Sequence, residues 1–300
     1  MSSHARPVVL GIGEVLWDLL PGGKQLGGAP ANFAYHARAL GADGFAISCV
    51  GDDPLGHELV EQFGRLGLTP RYLAIDRRHP TGTVDVRLDA DGKPYFVIHE
   101  GVAWDYLPPK TVFNEVTDTA EAVCFGSLAQ RAPVSRATIR GLLADLSEGC
   151  LRVFDVNLRQ RFYSRDVILR GLHAADVVKL NDEELPVIAG LLKLPGDEQE
   201  AWMAALVRDY ALRLLVLTRG AQGSVLLGPK GRSEHPGAPA KVVDTVGAGD
   251  AFTAAVTMGL LRGLHLDAIN DYANRVAAYV CGQAGATPRL PDDFAALFRP

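Results

Sequence analysis

A carboxylate follows a short glycine-rich turn in the last third of the chain, within the segment Asp244–Phe252. An apolar run leads into this segment, and hydrophobic residues at three- and four-residue spacing lead out of it, which predicts a strand or turn followed by a helix. The first amides of a helix lack intrahelical partners and attract anions, and glycines allow close approach. We therefore predict that the amides of Gly247, Ala248 and Gly249 hold a phosphate while Asp250 takes a proton from an alcohol. The alternative is an ordinary tight turn.

A second glycine-rich turn lies in the N-terminal third of the chain, in the segment Gly27–Ala34. It places Asn32 near the start of a predicted helix. An amide side chain both donates and accepts hydrogen bonds, which suits a sugar hydroxyl, and Asp18 upstream can accept from two neighbouring hydroxyls. The alternatives are a helix cap for Asn32 and a solvated strand-end residue for Asp18.

Short apolar runs alternate with helical patterns along the chain, which predicts an α/β fold with a mainly parallel sheet that is buried on both faces. The predicted strands are residues 7–13, 44–50, 122–127, 151–156, 176–180, 214–218 and 224–227. The predicted helices are residues 31–40, 56–66, 135–147, 182–191, 198–210, 249–261 and 266–282.

One region departs from this alternation. Residues 83–88 alternate between apolar and polar side chains, residues 93–99 form a second strand-like run, and Ala90–Gly92 supplies a turn between them. Together with a strand of the same type at residues 15–20, these runs predict a small sheet outside the main one. Over the carboxyl edge of a parallel sheet, it would act as a lid that excludes water from a transfer reaction. A hairpin without a catalytic role and a dimer contact are the alternatives.

Composition excludes several classes of protein. The 300 residues are 48% hydrophobic and 22% charged, as in globular proteins. The net charge of -5 and the lack of a basic run predict no nucleic-acid partner, and no apolar stretch is long enough to cross a membrane. The N-terminus lacks the apolar segment of a signal peptide, so we expect a cytoplasmic protein. The cysteines Cys49, Cys124, Cys150 and Cys281 are widely spaced and are predicted to be buried and unpaired.

Residues 27–34, followed by Gly41 and residues 51–56, resemble the N-terminal signature of the PfkB, or ribokinase-like, carbohydrate kinases. Residues 244–252 resemble the C-terminal signature of that family, and the resemblance covers essentially the whole chain. It implies one domain over residues 1–300 with a three-layer α/β/α fold, a mainly parallel central sheet and a small β-sheet lid formed by about residues 14–27 and 80–105. It also implies a phosphotransferase that moves the γ-phosphoryl group of ATP to a sugar hydroxyl.

The resemblance also implies a role for each matched position. Asp250 would be the catalytic base beside the anion hole, and Asp18, Gly28 and Asn32 would contact the sugar. The segment Lys179–Glu184 resembles the Asn-x-x-Glu motif of the family, whose residues organise magnesium and phosphate, the glutamate through water. The matched positions in this segment are Lys179, Asn181 and Glu184.

Residues 218–223 resemble the Thr-x-Gly-x-x-Gly loop that binds the nucleotide in this family, with Thr218, Gly220 and Gly223 at its defining positions. Asn274 falls where the family often places a neighbour of the adenine ring. We therefore expect both residue groups on the nucleotide side of the site.

Within the family the chain looks most like the fructokinases, because residues 28–32 and Asp155–Arg159 have their form. Ribokinases and phosphosugar kinases typically carry a lysine after the paired glycines, and this chain has Ala29, which argues against a phosphorylated substrate. Arg159 is either a forked donor to phosphate or sugar oxygen, with a catalytic role, or a surface arginine. Kinases for 2-keto-3-deoxygluconate, ribose or a nucleoside are the alternative enzymes.

Several family members bind a monovalent cation near the anion hole, and Asp244 is the position that would hold one here. Arg289 stands near where some potassium-activated relatives have a small hydroxyl residue, which argues against potassium activation. The resemblance implies a sugar and ATP as partners, Mg²⁺ as the metal, and allows a homodimer through the lid. Helix amides are also expected to lower the pKa of Asp250.

Two other classes of protein are weighed against a kinase. A Rossmann oxidoreductase would use Gly11–Gly13, but Leu16 stands where its third glycine belongs. A non-catalytic sugar-binding regulator on the same fold would be expected to lack Asp250, which is present.

Overall fold

The computed structural model of the chain describes residues 6–20, 22–88 and 94–298. The strands, in chain order, are β1 (Val8–Ile12), β2 (Leu16–Leu20), β3 (Gly23–Gly27), β4 (Asp43–Gly51), β5 (Leu73–Asp76), β6 (Gly82–Leu88), β7 (Pro94–Ile98), β8 (Ala122–Gly126), β9 (Leu151–Asp155), β10 (Val177–Asn181), β11 (Leu214–Thr218), β12 (Ser224–Gly228) and β13 (Gly231–His235). The α-helices are α1 (Ala29–Ala39), α2 (Pro54–Arg65), α3 (Asn114–Thr117), α4 (Pro133–Asp145), α5 (Arg165–Ala174), α6 (Glu184–Leu192), α7 (Gln199–Asp209), α8 (Ala248–Leu261), α9 (Leu266–Cys281) and α10 (Asp292–Ala296).

The large sheet has the strand order β13-β12-β11-β10-β9-β8-β1-β4-β5. Neighbouring strands are parallel from β11 to β5, and β12 and β13 are added antiparallel at one edge. Every predicted strand and helix is present, with ends that differ by no more than two residues. The strands β3, β5 and β13 and the helices α3, α5 and α10 were not predicted from the sequence.

Helices cover both faces of the large sheet. Successive strand residues point to opposite faces, so Val9 belongs to a core with residues of α1, α8 and α9, whereas Leu10 belongs to a core with residues of α4 to α7. Each face of the large sheet thus has its own hydrophobic core, and a third cluster packs α2 with α1 and the small sheet. The predicted three-layer α/β/α architecture is therefore confirmed.

The small sheet has the strand order β3-β2-β6-β7. Strands β6 and β7 form the predicted antiparallel hairpin, although Ala90–Gly92, predicted as its turn, lies outside the described residues. Strand β2 pairs parallel to β6 and antiparallel to β3. Since β3 ends at Gly27 and α1 begins at Ala29, the small sheet continues almost directly into the first helix.

The four cysteines are unpaired, as predicted; three of them are buried, whereas Cys281 is only half-buried. Among the described residues, no helix is long and apolar enough to cross a bilayer.

Candidate active site

A buried ion pair lies at the carboxyl ends of two central strands. Asp155 is the last residue of β9, and its register partner on β10 is Lys179. The Lys179 ammonium donates to Asp155 Oδ1 at 3.1 Å, and the Thr253 hydroxyl on α8 donates to Asp155 Oδ2 at 2.9 Å. Both charged side chains are at least nine-tenths buried, so the pair fixes the start of α8 against the sheet.

The turn before α8 needs a glycine. Gly247 precedes the helix with a φ of 79°, and a Cβ there would lie 2.4 Å from the Ala286 carbonyl oxygen. The run Lys241–Val243 that leads into this turn is irregular rather than a strand, with Val242 and Val243 63% and 61% exposed. Of the two predicted possibilities, the turn is the one observed.

The two glycine-rich segments of the sequence meet at one hydrogen bond. The Asn32 side-chain amide on α1 donates to Asp250 Oδ2 on the first turn of α8 at 2.8 Å. Asn32 lies inside α1, which is capped by Gly28, so the helix-cap alternative for Asn32 is wrong. The Asp250 carboxylate thus lines a small, largely apolar crevice between two helix N-termini, together with Ala29, Phe33 and Asp155.

The pKa of Asp250 is shifted in the direction opposite to the one expected from the sequence. Loss of water around the carboxyl and the nearby charge of Asp155 raise this pKa to about 6. The hydrogen bond from Asn32 and the charges of Lys179 and Arg159 lower it, but they offset only part of the increase. The expectation of a lowered pKa was therefore wrong, because burial outweighs the helix amides.

Lys179 also lies beneath the glycine turn. A Cβ placed on Gly249 would meet the Lys179 ammonium at 3.1 Å, whereas the rest of the space around Gly249 is open. The charges of Asp155, Glu184 and Asp250 raise the pKa of Lys179 against the effect of burial, so the ammonium stays charged. Amides at the start of α8 and this ammonium therefore offer positive charge to one anion.

The carboxylate of Glu184 is occupied by backbone amides. Its Oε1 accepts from the Leu158 amide at 2.7 Å, and its Oε2 accepts from the Asn181 amide at 2.9 Å. The Asn181 side chain in turn accepts from the amides of Glu183 and Glu184. Burial raises the pKa of Glu184. A metal ion would therefore contact Glu184 through water rather than replace these amides, in keeping with the sequence analysis.

Asp18 and Gly28 lie beside the N-terminus of α1. Asp18 on β2 is half-buried, and burial raises its pKa to about 6 against the charge of Arg159, so the solvated alternative for Asp18 does not fit. Gly28 has a φ of 111°, and a Cβ there would lie 2.4 Å from the Glu14 carbonyl oxygen. The buried Glu14 carboxyl has an oxygen without a hydrogen-bond partner among the described residues, and burial raises its pKa to about 7.

Arg159 is exposed, yet it is not an isolated surface arginine. Its charge lowers the pKa values of Glu14, Asp18 and Asp250, so its guanidinium lies within electrostatic reach of all three carboxyls. Asn157, with a φ of 41°, turns the chain after β9 and directs this segment toward the crevice.

The predicted nucleotide-side residues follow the next strands along the sheet. Asn181 and Thr218 are register partners at the ends of β10 and β11, so the Thr218–Gly223 loop adjoins the site. Gly220 and Gly223 have φ values of 54° and 79° in this loop. Asn274 lies behind the loop in α9, 7% exposed, and its amide donates to the Ser224 hydroxyl and the Asn270 carbonyl, both at 2.8 Å. Its contact with adenine remains a prediction.

Asp244 ties the turn before α8 to a C-terminal loop. Its Oδ1 accepts from the Val246 amide and its Oδ2 from the Gly285 amide, each at 3.0 Å. The carboxylate therefore shapes the turn before α8.

Sequence reasoning did not assign roles to Asp155, Thr253 and Glu14 in this site. Asp155 could have been predicted as a site residue, because it ends a buried strand and the carboxyl ends of parallel strands meet at one edge of the sheet. The buried positions of Thr253 and Glu14 depend on contacts between distant segments.

Comparison with known proteins gives consistent results over the whole chain. The model of the family described as pfkB family carbohydrate kinase matches residues 22–293. A fructokinase of Escherichia coli is 34% identical over 303 residues, which cover 93% of this chain and 95% of the relative.

Two solved structures illustrate the structural likeness. A sugar kinase of Pyrococcus horikoshii in complex with ATP superposes with a TM-score of 0.81 at 28% identity, covering 97% of this chain and 100% of that one. A double mutant of the Vibrio cholerae fructokinase, with fructose, ADP and potassium bound, has a TM-score of 0.82 at 26% identity, with 100% of both chains covered.

Proposed function

The chain belongs to the pfkB family of carbohydrate kinases, and from this premise we propose that it is a fructokinase that phosphorylates a hydroxyl of unphosphorylated fructose. Membership of this family makes the chain an ATP-dependent sugar kinase, without specifying the sugar. The observation that carries the proposal is the hydrogen bond between Asn32 and Asp250 at the start of α8, where a base, an anion-binding turn and a sugar-binding segment meet.

Fructose as the substrate is supported by the relatives and by the crevice. The Escherichia coli relative is named a fructokinase, and the Vibrio cholerae neighbour holds fructose. Ala29 lines the crevice where a lysine would serve a second phosphate, and the carboxyls of Glu14 and Asp18 lie near Arg159. A substrate with a further negative group would meet these acids, whereas a neutral sugar offers hydroxyls to them.

The residues on this chain would act by positioning and by charge. The amides of Gly247–Gly249 and the Lys179 ammonium hold the terminal phosphate of ATP, and Asp250 accepts the proton of the attacking hydroxyl. Asn32 keeps the Asp250 carboxylate directed into the crevice. Arg159 would stabilise charge on the transferred group, because the guanidinium lies within electrostatic reach of Asp250.

The site fits a magnesium ion that binds together with ATP. Among the described residues, no group of three or more metal-ligating side chains could hold an ion, and both oxygens of Glu184 accept from amides. Glu184 and Asn181 would therefore hold the waters of a magnesium ion bound to ATP. The ion would supply neutralisation of the β- and γ-phosphate oxygens.

The contacts of Asp244 argue against a direct role for its carboxylate in binding potassium. The Vibrio cholerae neighbour binds potassium, and backbone carbonyls beside Asp244 would supply ligands of the right kind. Both oxygens of Asp244 accept from amides, which leaves its carboxylate to shape the loop. The small sheet acting as a lid, a homodimer through that lid and a cytoplasmic location also remain predictions.

The raised pKa of Asp250 predicts the pH dependence of the reaction. A base must be ionised to accept a proton. We therefore expect kcat/KM to reach its maximum well above pH 6 and to fall as the pH drops through about 6. Asn32→Ala removes a hydrogen bond that lowers this pKa, so its acidic limb should move to higher pH. Profiles of kcat/KM against pH measure both positions.

Glu14 supplies the control for this profile, because its own pKa of about 7 places a second titration near the first. Glu14→Gln should retain a limb near pH 6. Loss of that limb in Glu14→Gln, or an unmoved limb in Asn32→Ala, would count against Asp250 as the titrating base.

The choice of sugar is tested by an ADP-release assay with fructose, ribose, 2-keto-3-deoxygluconate, adenosine and fructose 6-phosphate. We expect the highest kcat/KM with fructose and a value at least about tenfold lower with fructose 6-phosphate, because its phosphate would lie near acidic groups. A higher kcat/KM for any other compound would replace fructose as the substrate.

A further inference from the structure

A buried histidine connects the sugar-binding helix to the anion-binding turn. His36 lies four residues after Asn32 in α1, so both side chains lie on one face of the helix. Its Nε2 is 2.9 Å from the Ala286 carbonyl oxygen, and the side chain has no solvent exposure. A carbonyl oxygen only accepts, so Nε2 carries a proton and donates. Burial lowers the pKa of His36 to about 4, which keeps the ring neutral.

Ala286 is in turn the residue against which Gly247 packs. A Cβ on Gly247 would meet the Ala286 carbonyl oxygen at 2.4 Å and its Cα at 2.6 Å, so the two backbones are in direct contact. The position of the Ala286 peptide therefore sets the position of Gly247, the first residue of the proposed phosphate cradle. Since interiors are close-packed, a shift of this peptide passes to Gly247.

Helix α1 thus contacts the reaction centre at two points. Asn32 directs the base Asp250, and His36 holds the peptide behind Gly247. We propose that His36 is a positioning residue that fixes the anion hole relative to the catalytic base through the Ala286 carbonyl. This inference rests on the proposed function, because it takes the terminal phosphate to lie on the Gly247–Gly249 amides.

The C-terminal loop offers a matched control on the same helix. The Tyr35 hydroxyl donates to the Pro288 carbonyl at 3.1 Å, two residues further along the loop from Ala286. Gly247 contacts Ala286 rather than Pro288. Tyr35→Phe therefore removes one bond between α1 and the loop without removing the bond to the peptide behind Gly247.

The first test measures nucleotide binding and needs no sugar. By calorimetric titration, His36→Leu should reduce the affinity for AMP-PNP by about tenfold and that for ADP by less than about threefold, because only the triphosphate analogue reaches the cradle. His36→Gln keeps a side-chain N–H donor and should bind both nucleotides nearly as the unmodified chain does. Equal losses for AMP-PNP and ADP, or a His36→Gln variant as weak as His36→Leu, would overturn the proposal.

The second test measures kinetics with whichever sugar the unmodified chain phosphorylates best. His36→Leu should lower kcat by about 10- to 100-fold, with the sugar KM within about threefold, since small misplacements of reacting groups are costly. Tyr35→Phe should retain kcat within about threefold. Equal kcat values for these two variants would contradict the role of His36. If His36→Leu does not fold, His36→Asn, which is too short to reach Ala286, should show the same losses.

These two readouts separate the inference from the function on which it rests. A chain that phosphorylates none of the five compounds contradicts the proposed function, and the nucleotide titrations still decide the role of His36. A chain that phosphorylates fructose while His36→Leu binds AMP-PNP normally contradicts the inference alone.

Discussion

Asp250→Asn is expected to lower kcat by about 10²–10⁴ while leaving the affinity for ATP almost unchanged. The amide has nearly the shape of the carboxylate and can remain hydrogen-bonded to Asn32 after its side chain turns, but it does not accept the proton of the attacking hydroxyl. The change also removes a charge that the loss of water already disfavours, so the fold should be no less stable. Steady-state kinetics with saturating sugar and ATP, together with a nucleotide titration, measure both quantities.

Asp292→Asn is the control for this substitution, because Asp292 is also an acid in the first turn of a helix but lies exposed in α10. It should retain full activity. Turnover of Asp250→Asn within about tenfold of the unmodified chain would remove Asp250 from the role of base and favour a purely positional role.

Gly247→Val is expected to have the second largest effect, with kcat/KM for ATP lowered by about 10²–10³ or more, as when an oxyanion-hole donor is lost. A Cβ there would lie 2.4 Å from the Ala286 carbonyl oxygen, and a β-branched residue does not readily adopt a φ of 79°. The turn must open, and its amides then move away from the phosphate. Kinetics with varied ATP measure the loss, and thermal unfolding measures the accompanying strain.

Gly263→Val is a control that separates the effect of backbone strain from the loss of the phosphate-binding turn. Gly263 follows the other end of α8 with a φ of 66°, and a Cβ there would meet nothing within 4 Å. It should lose stability but keep its KM for ATP. If the two valine variants had the same kinetics, Gly247 would have no special part in binding phosphate.

Gly249 is expected to be less sensitive to substitution than Gly247. Among the described residues, the side chain that a Cβ on Gly249 would meet is the flexible end of Lys179, at 3.1 Å. We still expect Gly249→Val to weaken ATP binding and catalysis, because it displaces this ammonium, yet by less than Gly247→Val.

Much of the fold follows from local patterns in the chain. The apolar runs of β1 and β8 to β11 are buried on both faces, and their hydrophobicity alone places them inside a parallel sheet. By contrast, β13 is a polar edge strand, Gly231–His235, and β3 begins and ends with glycine. Neither carries the alternation or apolar run that identifies a strand, and each depends on pairing with a neighbouring strand.

The candidate site shows the same division between local and distant causes. The glycine turn, Asp250 and Asn32 could be identified because each belongs to a short motif with its own chemistry. The direction of the Asp250 pKa shift could not be predicted, because the burial and the Asp155 charge that raise this pKa come from segments far away in the chain. The link from His36 to Ala286 likewise joins residues that no local pattern relates.

The paired glycines before α1 have a consequence for how this protein can evolve. A Cβ on Gly27 would lie 2.4 Å from Asp18 Oδ2, and one on Gly28 would lie 2.4 Å from the Glu14 carbonyl oxygen. A side chain at Gly28 would require the turn to be rebuilt, whereas one at Gly27 would displace the Asp18 carboxylate. Ala29, the next residue, lines the crevice. Substitutions at position 29 can therefore alter the crevice during evolution while the two preceding glycines are retained.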